Sequence, residues 1–155
     1  MALFRVKPWY KKKGGGVLSY YGTATSLSAA RHYLAATSIG NYALFGGGSS
    51  DGGLSNTVDA YDTSLTRTNP TSLSVARHYL AATSIGNYAL FGGGSSNGRL
   101  SQVDAYDTSL TRTNPTSLST PRSYLAATSI SNYALFGGGY SDGGYSNTVD
   151  VYQVS

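Results

Sequence analysis

The sequence predicts an all-β protein, and more specifically a β-propeller, from three observations. A module of about 46 residues is repeated, since Arg31 to Ser50 recurs without change as Arg77 to Ser96 and a close third copy begins at Arg122. Within each module, apolar and polar residues alternate with the period of two that is typical of strands. The composition is rich in Gly and Tyr and contains no Cys, which favours short strands joined by glycine-rich turns. Four short antiparallel strands repeated at this spacing are typical of propeller blades.

The four strands of one module can be assigned in order from the first copy. The segment HYLAATSI is rich in β-forming residues and ends at Gly40 and Asn41, a pair typical of a tight hairpin turn. YALFGGG then gives an apolar second strand, and NTVDAYD gives a third in which Asp and Tyr alternate with small apolar residues. The fourth, LTRTNPTSL, is polar and contains Pro70, which suits an outer edge where no ladder hydrogen bond is needed.

The order of these features resembles the kelch repeat, which builds propellers. The marks of that repeat are a glycine pair after the second strand, a Tyr-Asp pair in the third and an Arg leading into the next blade. They correspond here to Gly46–Gly47, Tyr61–Asp62 and Arg77. The resemblance covers about residues 17–155 and departs from the family in lacking the usual Trp of the outer strand. In particular, the chain resembles the Gly-, Tyr- and Ser-rich kelch-like repeat proteins of bacterial and phage genomes, which mostly lack an assigned activity.

Counting strands predicts how the chain is divided. Fourth strands follow the first two copies but not the third, whose last strand ends near Tyr152. The segment before the first copy aligns with a fourth strand, so we expect the N-terminal strand to complete the last blade. The expected segments are a basic tail and glycine hinge at 1–16, a closing outer strand at 17–30, and blades at 31–76, 77–121 and 122–155, which together make a propeller half at 17–155.

Three blades fall below the usual propeller size of about four to eight, so one chain is not expected to close on itself. Two chains placed head to tail make six blades, a number that is common among kelch propellers. Each N-terminal strand then completes the third blade of the other chain. We therefore expect a strand-exchanged homodimer with no stable folded monomer, while other multiples of three blades stay open.

The first group of candidate ligand-binding residues begins each module. The arginines recur where a fourth strand crosses to the next module, and in a ring they would form an anion or glycan-carboxylate site. Alternatively, each Arg pairs with the repeated carboxylate of a neighbouring blade, such as Asp59 or Asp62, and holds the blades together. Metal binding is not expected at the two His residues, because no acidic or sulfur-bearing residue lies beside them in the sequence. The residues of this group are Arg31, Arg77, Arg122, His32, His78, Tyr33, Tyr79 and Tyr124.

The second group lies in the loops that follow the second strand of each module. These loops, at 46–56, 92–102 and 137–147, are the most divergent part of the copied module, and loops on a rigid scaffold often carry binding sites. Their polar and Tyr content suits hydroxyl-rich or polar ligands, and relaxed constraint on solvent-exposed loops is the alternative. The candidate residues are Asp51, Asn97, Arg99 and Asp142.

The net positive charge of the chain comes from its N-terminal tail. The formal net charge is +4, yet the repeat body contains six Arg against seven Asp and no Lys, so nucleic-acid binding by the body is not expected. Two aromatic residues beside three lysines could attach the tail to a partner, an anionic surface or single-stranded nucleic acid. Alternatively, the tail is a residual extension that lies on the propeller. The attachment residues are Trp9, Tyr10, Lys11, Lys12 and Lys13.

The sequence predicts a binding or adhesion module rather than an enzyme. A glycosidase needs a pair of carboxyl groups, whereas the carboxyls here are Asp residues at repeated positions that look structural. A kelch-type copper oxidase would need a Cys-Tyr crosslink, which a chain without Cys cannot form. We expect a glycan or protein ligand on the loop face and no cofactor, and the alternative is a self-assembling scaffold, natural or engineered, without a ligand of its own. No secretory signal or membrane-spanning run is evident, and a place on a virion or cell surface is compatible with this function.

Overall fold

The computed structural model of the chain describes residues 16–155. These residues form fifteen β-strands and no helix, and every strand pair is antiparallel. The prediction of an all-β fold built from antiparallel sheets is therefore confirmed. No helix in residues 16–155 is long and apolar enough to cross a membrane.

The first copy forms a four-stranded sheet. Its strands lie side by side in the order β1, β2, β5 and β6, while β3 and β4 form a small separate hairpin in the loop that joins β2 to β5. The fourth strand is only two residues long, so Pro70 lies outside it. The bounds are β1 Ala35–Ile39, β2 Tyr42–Gly46, β3 Ser49–Ser50, β4 Gly53–Leu54, β5 Val58–Tyr61 and β6 Arg67–Thr68.

The second and third copies repeat this plan with one difference each. The second sheet also has four strands, but its loop contains isolated bridges instead of a hairpin. The third sheet has three strands in the described residues, in the order β11, β12 and β15, and its loop hairpin is β13 with β14. The bounds are β7 Ala81–Ile85, β8 Tyr88–Gly92, β9 Val103–Tyr106, β10 Arg112–Thr113, β11 Ala126–Ile130, β12 Tyr133–Gly137, β13 Tyr140–Ser141, β14 Gly144–Tyr145 and β15 Val149–Gln153.

The hairpin between the first two strands of each sheet turns at the predicted position. Ile39 lies opposite Tyr42, so Gly40 and Asn41 form a two-residue turn, and the second copy repeats it. Gly40 has a φ of +51°, a value that favours glycine, and the third copy has Ser131 there with a φ of +52°. The turn prediction is confirmed. In the third copy, Ser131 adopts a positive φ that glycine tolerates better than serine.

The second sheet packs between the first and the third through two apolar cores. The ring of Phe91 lies so close to Gly46 that a Cβ there would come within 2.8 Å of its Cε1 atom, and Phe136 meets Gly92 in the same way. Because glycine has no side chain, each of these positions leaves room for an aromatic ring from the next sheet. The first core contains Ile39, Leu44, Val58, Ala60, Leu73, Leu80, Ala89, Phe91 and Tyr106, and the second contains Ala81, Ile85, Leu90, Val103, Ala105, Leu118, Leu125, Ala134 and Phe136.

The segment before the first sheet contains no strand. Its part at 25–28 nevertheless contacts that sheet, because Tyr61 donates a hydrogen bond to the carbonyl of Thr25 and the N–H of Ser28 donates to Asp59. The equivalent contacts tie 71–74 to the second sheet, as in the 2.7 Å bond from Tyr106 to the carbonyl of Thr71. Residues 17–24 lie exposed, and a closing strand at 17–30, which requires a second chain, stays a prediction.

Candidate binding surfaces

The arginines that begin the modules have fully buried side chains that form ion pairs. Arg77 Nη2 lies 3.0 Å from Asp104 Oδ2, and both side chains are fully buried. Each Asp belongs to the third strand of the sheet that the Arg leads into, so the pair lies within one module rather than between neighbouring blades. Asp62 instead accepts hydrogen bonds from the N–H groups of Ser64 and Thr66 in a turn. The pairs are Arg31 with Asp59, Arg77 with Asp104 and Arg122 with Asp150.

The hydrogen-bonding environment of these carboxylates stabilises their charge. Burial raises the pKa of Asp59, but hydrogen bonds from Asn69, Ser28 and Arg31 outweigh it and hold the pKa below its usual value. Asp150 shows the same balance between burial and its hydrogen bonds, and its pKa is also lowered. Each arginine, through its η nitrogens, also donates to a main-chain carbonyl of the second strand, as Arg77 does to Phe91 at 3.0 Å. The arginine alternative that the structure favours is therefore the scaffolding one.

The tyrosines beside these arginines form a ladder at one edge of the three sheets. The ring centroids of Tyr33 and Tyr79 are 4.4 Å apart, and those of Tyr79 and Tyr124 are 3.9 Å apart. All three residues have φ near +57°, a left-handed conformation that is uncommon for a non-glycine residue. A backbone hydrogen bond from each Tyr N–H to the carbonyl of the preceding Tyr links the first pair and the second. The structure thus brings these three candidates together, one from each module.

The two histidines lie next to this ladder. His32 is exposed, while Nδ1 of His78 is buried without a hydrogen-bond partner among residues 16–155. Burial and the nearby His32 both lower the pKa of His78, which favours the neutral form of its ring. In the part of the chain that the structure describes, no group of three His, Cys, Asp or Glu side chains is placed to hold a metal ion.

Two of the four loop candidates meet each other. Arg99 Nη1 lies 2.6 Å from Asp142 Oδ1, which joins the second loop to the third, and the guanidinium of Arg99 lies 4.4 Å above the ring of Tyr140. Asp51 and Asn97 are exposed in their own turns.

The attachment residues predicted in the basic tail fall outside residues 16–155, so the structure does not test the attachment role. These residues are Trp9, Tyr10, Lys11, Lys12 and Lys13.

The outer face of the third sheet is apolar and uncovered. Its side chains occupy the positions that are buried between sheets in the first two copies, but here they are largely exposed. Gly137, the counterpart of Gly46 and Gly92, has no aromatic ring against it, since a Cβ there would meet only a methyl group of Val149. A shallow cavity of about 270 Å³ marks the place. The face is formed by Ala126, Thr128, Ile130, Leu135, Gly137, Val149 and Val151.

The opposite face, on the first sheet, carries the matching ring. Phe45 is the counterpart of Phe91 and Phe136, but it is only half-buried and lies in a cavity of about 460 Å³ with Ala43, Tyr61 and Leu65. The N-terminal segment lines the other side of this cavity with Thr25 and its neighbours. The outer face of the first sheet therefore has an aromatic ring, Phe45, without a glycine opposite it. The outer face of the third sheet has a glycine, Gly137, without a ring opposite it.

The sequence predicted unpaired blade faces at the two ends but not which residues form them, and it missed a cluster of tyrosines in the third loop. The alternation of the strands shows that each has two faces, but not which face meets the next sheet. The tyrosines had a readable signal, because Tyr140 and Tyr145 stand where the first copy has Ser49 and Leu54.

No family model and no curated protein matches the chain. The comparisons therefore add nothing to the kelch resemblance, and the all-β architecture of antiparallel sheets stands on the structure alone.

Proposed function

We propose that the chain is half of a kelch-like propeller, that its two end faces associate head to tail, and that the assembled ring is a non-enzymatic binding module. One observation carries the proposal: the interface that joins neighbouring sheets inside the chain occurs twice, and its two halves recur unpaired at the ends. Phe45 of one chain fits over Gly137 of another as Phe91 fits over Gly46. The occupant of each end face is thus a second copy of this chain.

The backbone groups at the ends support the same pairing. The first two sheets are joined by backbone hydrogen bonds that include Gly48 N–H to the Arg77 carbonyl, Leu73 N–H to Asn56 and Tyr79 N–H to Tyr33. The second and third sheets repeat these bonds one module later. Within residues 16–155, the next members of the series, such as Gly139 N–H and the Tyr124 carbonyl, make no such backbone bond. A second chain would supply their partners from the segment around Leu27, Arg31 and Tyr33.

The outer edge of β15 supports exchange of the N-terminal strand. In the first two sheets, the Asp of the third strand accepts a hydrogen bond from the amide of Asn69 or Asn114, which lie just beyond the fourth strand. Asp150 has no such partner in the described residues, and its side chain is 15% exposed whereas those of Asp59 and Asp104 are fully buried.

The N-terminal segment of a second chain supplies the missing groups. Alignment of 25–28 with 71–74 places Thr23 at the position of Asn69, with a hydroxyl that can donate to Asp150. The same alignment places Tyr21 and Gly22 where β6 pairs with β5, so they would form the fourth strand beside β15. Two chains related by a twofold axis then give six blades.

The test is the mass of the intact chain in solution, measured by native mass spectrometry together with sedimentation. We expect a dimer. Gly137→Val should give a monomer, because a branched side chain there blocks Phe45 of the second copy. Among residues 16–155, chain neighbours aside, no atom lies closer than 3.5 Å to the new Cβ. The control is Gly98→Val, at a loop glycine with open space around it. A stable monomer of the unaltered chain would refute the assembly, and a larger ring would keep the head-to-tail contact but change the blade count.

Deletion of residues 1–23 tests the strand exchange separately. It removes the exchanged strand but keeps 25–28, which contacts its own first sheet. We expect a dimer that dissociates at higher concentration than the intact one, since the end faces still meet. An unchanged dissociation constant would refute strand exchange, and the proposal would then rest on contact between the end faces alone.

The binding role of the ring rests on the loops, which diverge while the rest of the module is copied. The verbatim repetition of Arg31 to Ser50 favours the second candidate, a self-assembling scaffold without a ligand, because selected binding surfaces usually diversify. A glycan array and a panel of surface proteins separate the two. The binding module predicts a saturable hit that loop substitutions abolish, and the scaffold predicts none.

A further inference from the structure

The loop of the second copy, at 92–102, has a different backbone from the other two loops. Gly53 and Gly144 begin β4 and β14 with φ of +107° and +104°, which a residue with a side chain adopts only with strain. Arg99 occupies this position in the second copy, and its φ is not positive. Isolated bridges at Ser95 therefore replace the paired strands of the other two loops. The second loop thus lacks the hairpin that orders its two counterparts.

The tip of the second loop holds the only Asn-Gly pair of the sequence, Asn97 with Gly98, where the other two loops have Asp-Gly. Both residues are exposed, and a Cβ on Gly98 would meet no atom within 4 Å, chain neighbours aside. In the first loop, the N–H of the equivalent Gly52 donates a hydrogen bond to Ser50 Oγ at 3.3 Å. The N–H of Gly98 donates no hydrogen bond within residues 16–155. The main-chain nitrogen that follows Asn97 is therefore open to solvent and unrestrained.

We propose that Asn97 is a site of spontaneous deamidation, a covalent modification to which exposed Asn residues are prone. The main-chain nitrogen of Gly98 attacks Cγ of Asn97, a new C–N bond forms, and the bond from Cγ to Nδ2 breaks. Nδ2 leaves as ammonia, which carries the proton that the main-chain nitrogen has lost. Water then opens the cyclic imide: at Cγ it gives aspartate, and at the main-chain carbonyl carbon it gives isoaspartate. Water is the only co-reactant, so no oxidant, reductant or enzyme takes part.

The other Asn side chains lack this combination of features. Asn41, Asn87 and Asn132 lie in tight hairpin turns and precede Tyr, whose side chain hinders the approach of the nitrogen. The rest precede Thr or Pro, and Pro has no N–H. Reaction at the second loop adds a carboxylate two residues before Arg99, which joins this loop to Asp142 of the third. The modification therefore changes the charge of the loop face. It goes beyond the proposed binding function and does not depend on the assembly.

The test follows the amide of Asn97 while the full, folded chain is incubated in mildly alkaline buffer. The chain is then unfolded and cut with trypsin, and the peptide 78–99 contains Asn87 as an internal reference. Mass spectrometry of peptide fragments measures both amides, and an isoaspartyl methyltransferase labels isoaspartate. Arg99→Gly restores the residue of the other two loops and so should restore the hairpin. Arg99→Ala is the matched control, because it removes the same side chain and ion pair but keeps a Cβ; in both variants the peptide extends to Arg112.

We expect Asn97 to lose its amide while Asn87 keeps its own. Arg99→Gly should slow the loss by about tenfold, because the N–H of Gly98 would then be held by Ser96, as its counterpart is held in the first loop, and this hydrogen bond has to open first. Arg99→Ala should react at the rate of the unaltered chain. Loss at Asn97 that is no faster than at Asn87 would overturn the proposal, and equal rates in the two variants would overturn its dependence on the loop backbone. Deamidation of a chain that proves to be monomeric would support this inference and refute the ring.

Discussion

The middle sheet and the third sheet contain the same first strand in different surroundings. Ala-Ala-Thr-Ser-Ile forms β7 in one and β11 in the other, with the same register against the following strand. Ile85 is 5% exposed in the middle sheet, whereas its counterpart Ile130 is 69% exposed in the third. The difference continues along the third strand, where Val103 is 1% exposed and Val149 is 52% exposed.

A module forms its strand pairs and turns by itself, but it needs a neighbouring sheet to bury its apolar face. Strand pairing and turns are the same in both sheets, so they follow from the local sequence. Burial depends on a further sheet, because the apolar face of one module is completed by the aromatic ring of the next. An exposed apolar face of this kind usually marks an interaction site. Substitutions at equivalent positions of the middle sheet and of the end sheets should therefore have different effects.

The largest difference is expected at the phenylalanines. Phe91→Ala should reduce the free energy of unfolding by about 3–5 kcal/mol, because it leaves a cavity over Gly46 in the first core. Phe45→Ala, at the half-buried end position, should cost clearly less within the chain. Urea unfolding of both changes in the Gly137→Val background, where the end-face contact is blocked, measures both losses. Equal losses would mean that Phe45 is already packed within its own chain and would weaken the end-face argument.

Removal of the buried carboxylate should show the next largest difference. Asp104→Asn leaves the fully buried guanidinium of Arg77 without its counter-charge, at an expected cost of about 3 kcal/mol or more. Asp150→Asn should cost less in the Gly137→Val background, where no second chain covers the site, since Asp150 is partly exposed there and water can solvate its pair with Arg122. Thermal and urea unfolding of the two variants give the two losses in unfolding free energy. In the dimer the costs should become similar, because strand exchange would bury Asp150.

Acid should weaken the fold through the same carboxylates. The pKa values of Asp59 and Asp150 are lowered on folding from the usual 3.8, so their stabilising contribution is fully present above that value. It is lost as the pH falls through 3.8 towards their folded pKa values. Unfolding free energies measured between pH 5 and about pH 2 should therefore decline in this window. The decline should be smaller in Asp150→Asn, and a pH-independent stability would contradict the pKa argument.

The smallest effect is expected at the hairpin turn of the third sheet. Ser131→Gly should stabilise the chain by about 0.5–1 kcal/mol, because glycine tolerates the positive φ that serine adopts there. Gly86→Ser, the reciprocal change in the middle sheet, should destabilise it by a similar amount. The melting temperatures of Ser131→Gly and Gly86→Ser test whether the two effects are opposite and of similar size. A destabilised Ser131→Gly variant would show that the serine makes a contact worth more than the strain.

The sequence was sufficient for the parts of the structure that local chemistry decides. The repeat and its alternation predicted antiparallel strands, and the Gly40–Asn41 pair predicted the turn, because each rests on neighbouring residues. The ion pairs between the module arginines and repeated Asp residues were one of two open alternatives, since an Arg suits a ligand and a buried carboxylate equally well. The fourth strand was predicted too long, because in β6 only Arg67 and Thr68 pair with β5.

The candidate site was harder to predict for physical reasons. Glycine in YALFGGG indicates a close approach, but the sequence does not say that Phe91 is the approaching group, since that depends on how two sheets pack. The tyrosine cluster of the third loop depends on the pairing of Tyr140 with Tyr145 in a hairpin whose strands are two residues long, which is too short for an alternation pattern to reveal. A comparison of the first and third loops position by position would have shown both tyrosines, because they are the only two differences between 46–56 and 137–147.

The buried arginines also determine how proteases meet this chain. Trypsin-like enzymes require a Lys or Arg side chain that can leave the surface, and residues 16–155 contain no Lys. Of the six arginines in that range, Arg31, Arg77 and Arg122 have fully enclosed side chains. The other three are bound to a carbonyl or a carboxylate: Arg67 to Ser26, Arg112 to Ser72 and Arg99 to Asp142. Cleavage after Arg31, Arg77 or Arg122 therefore has to wait for a module to open, so the rate at which trypsin cuts at these three sites measures how often the modules open.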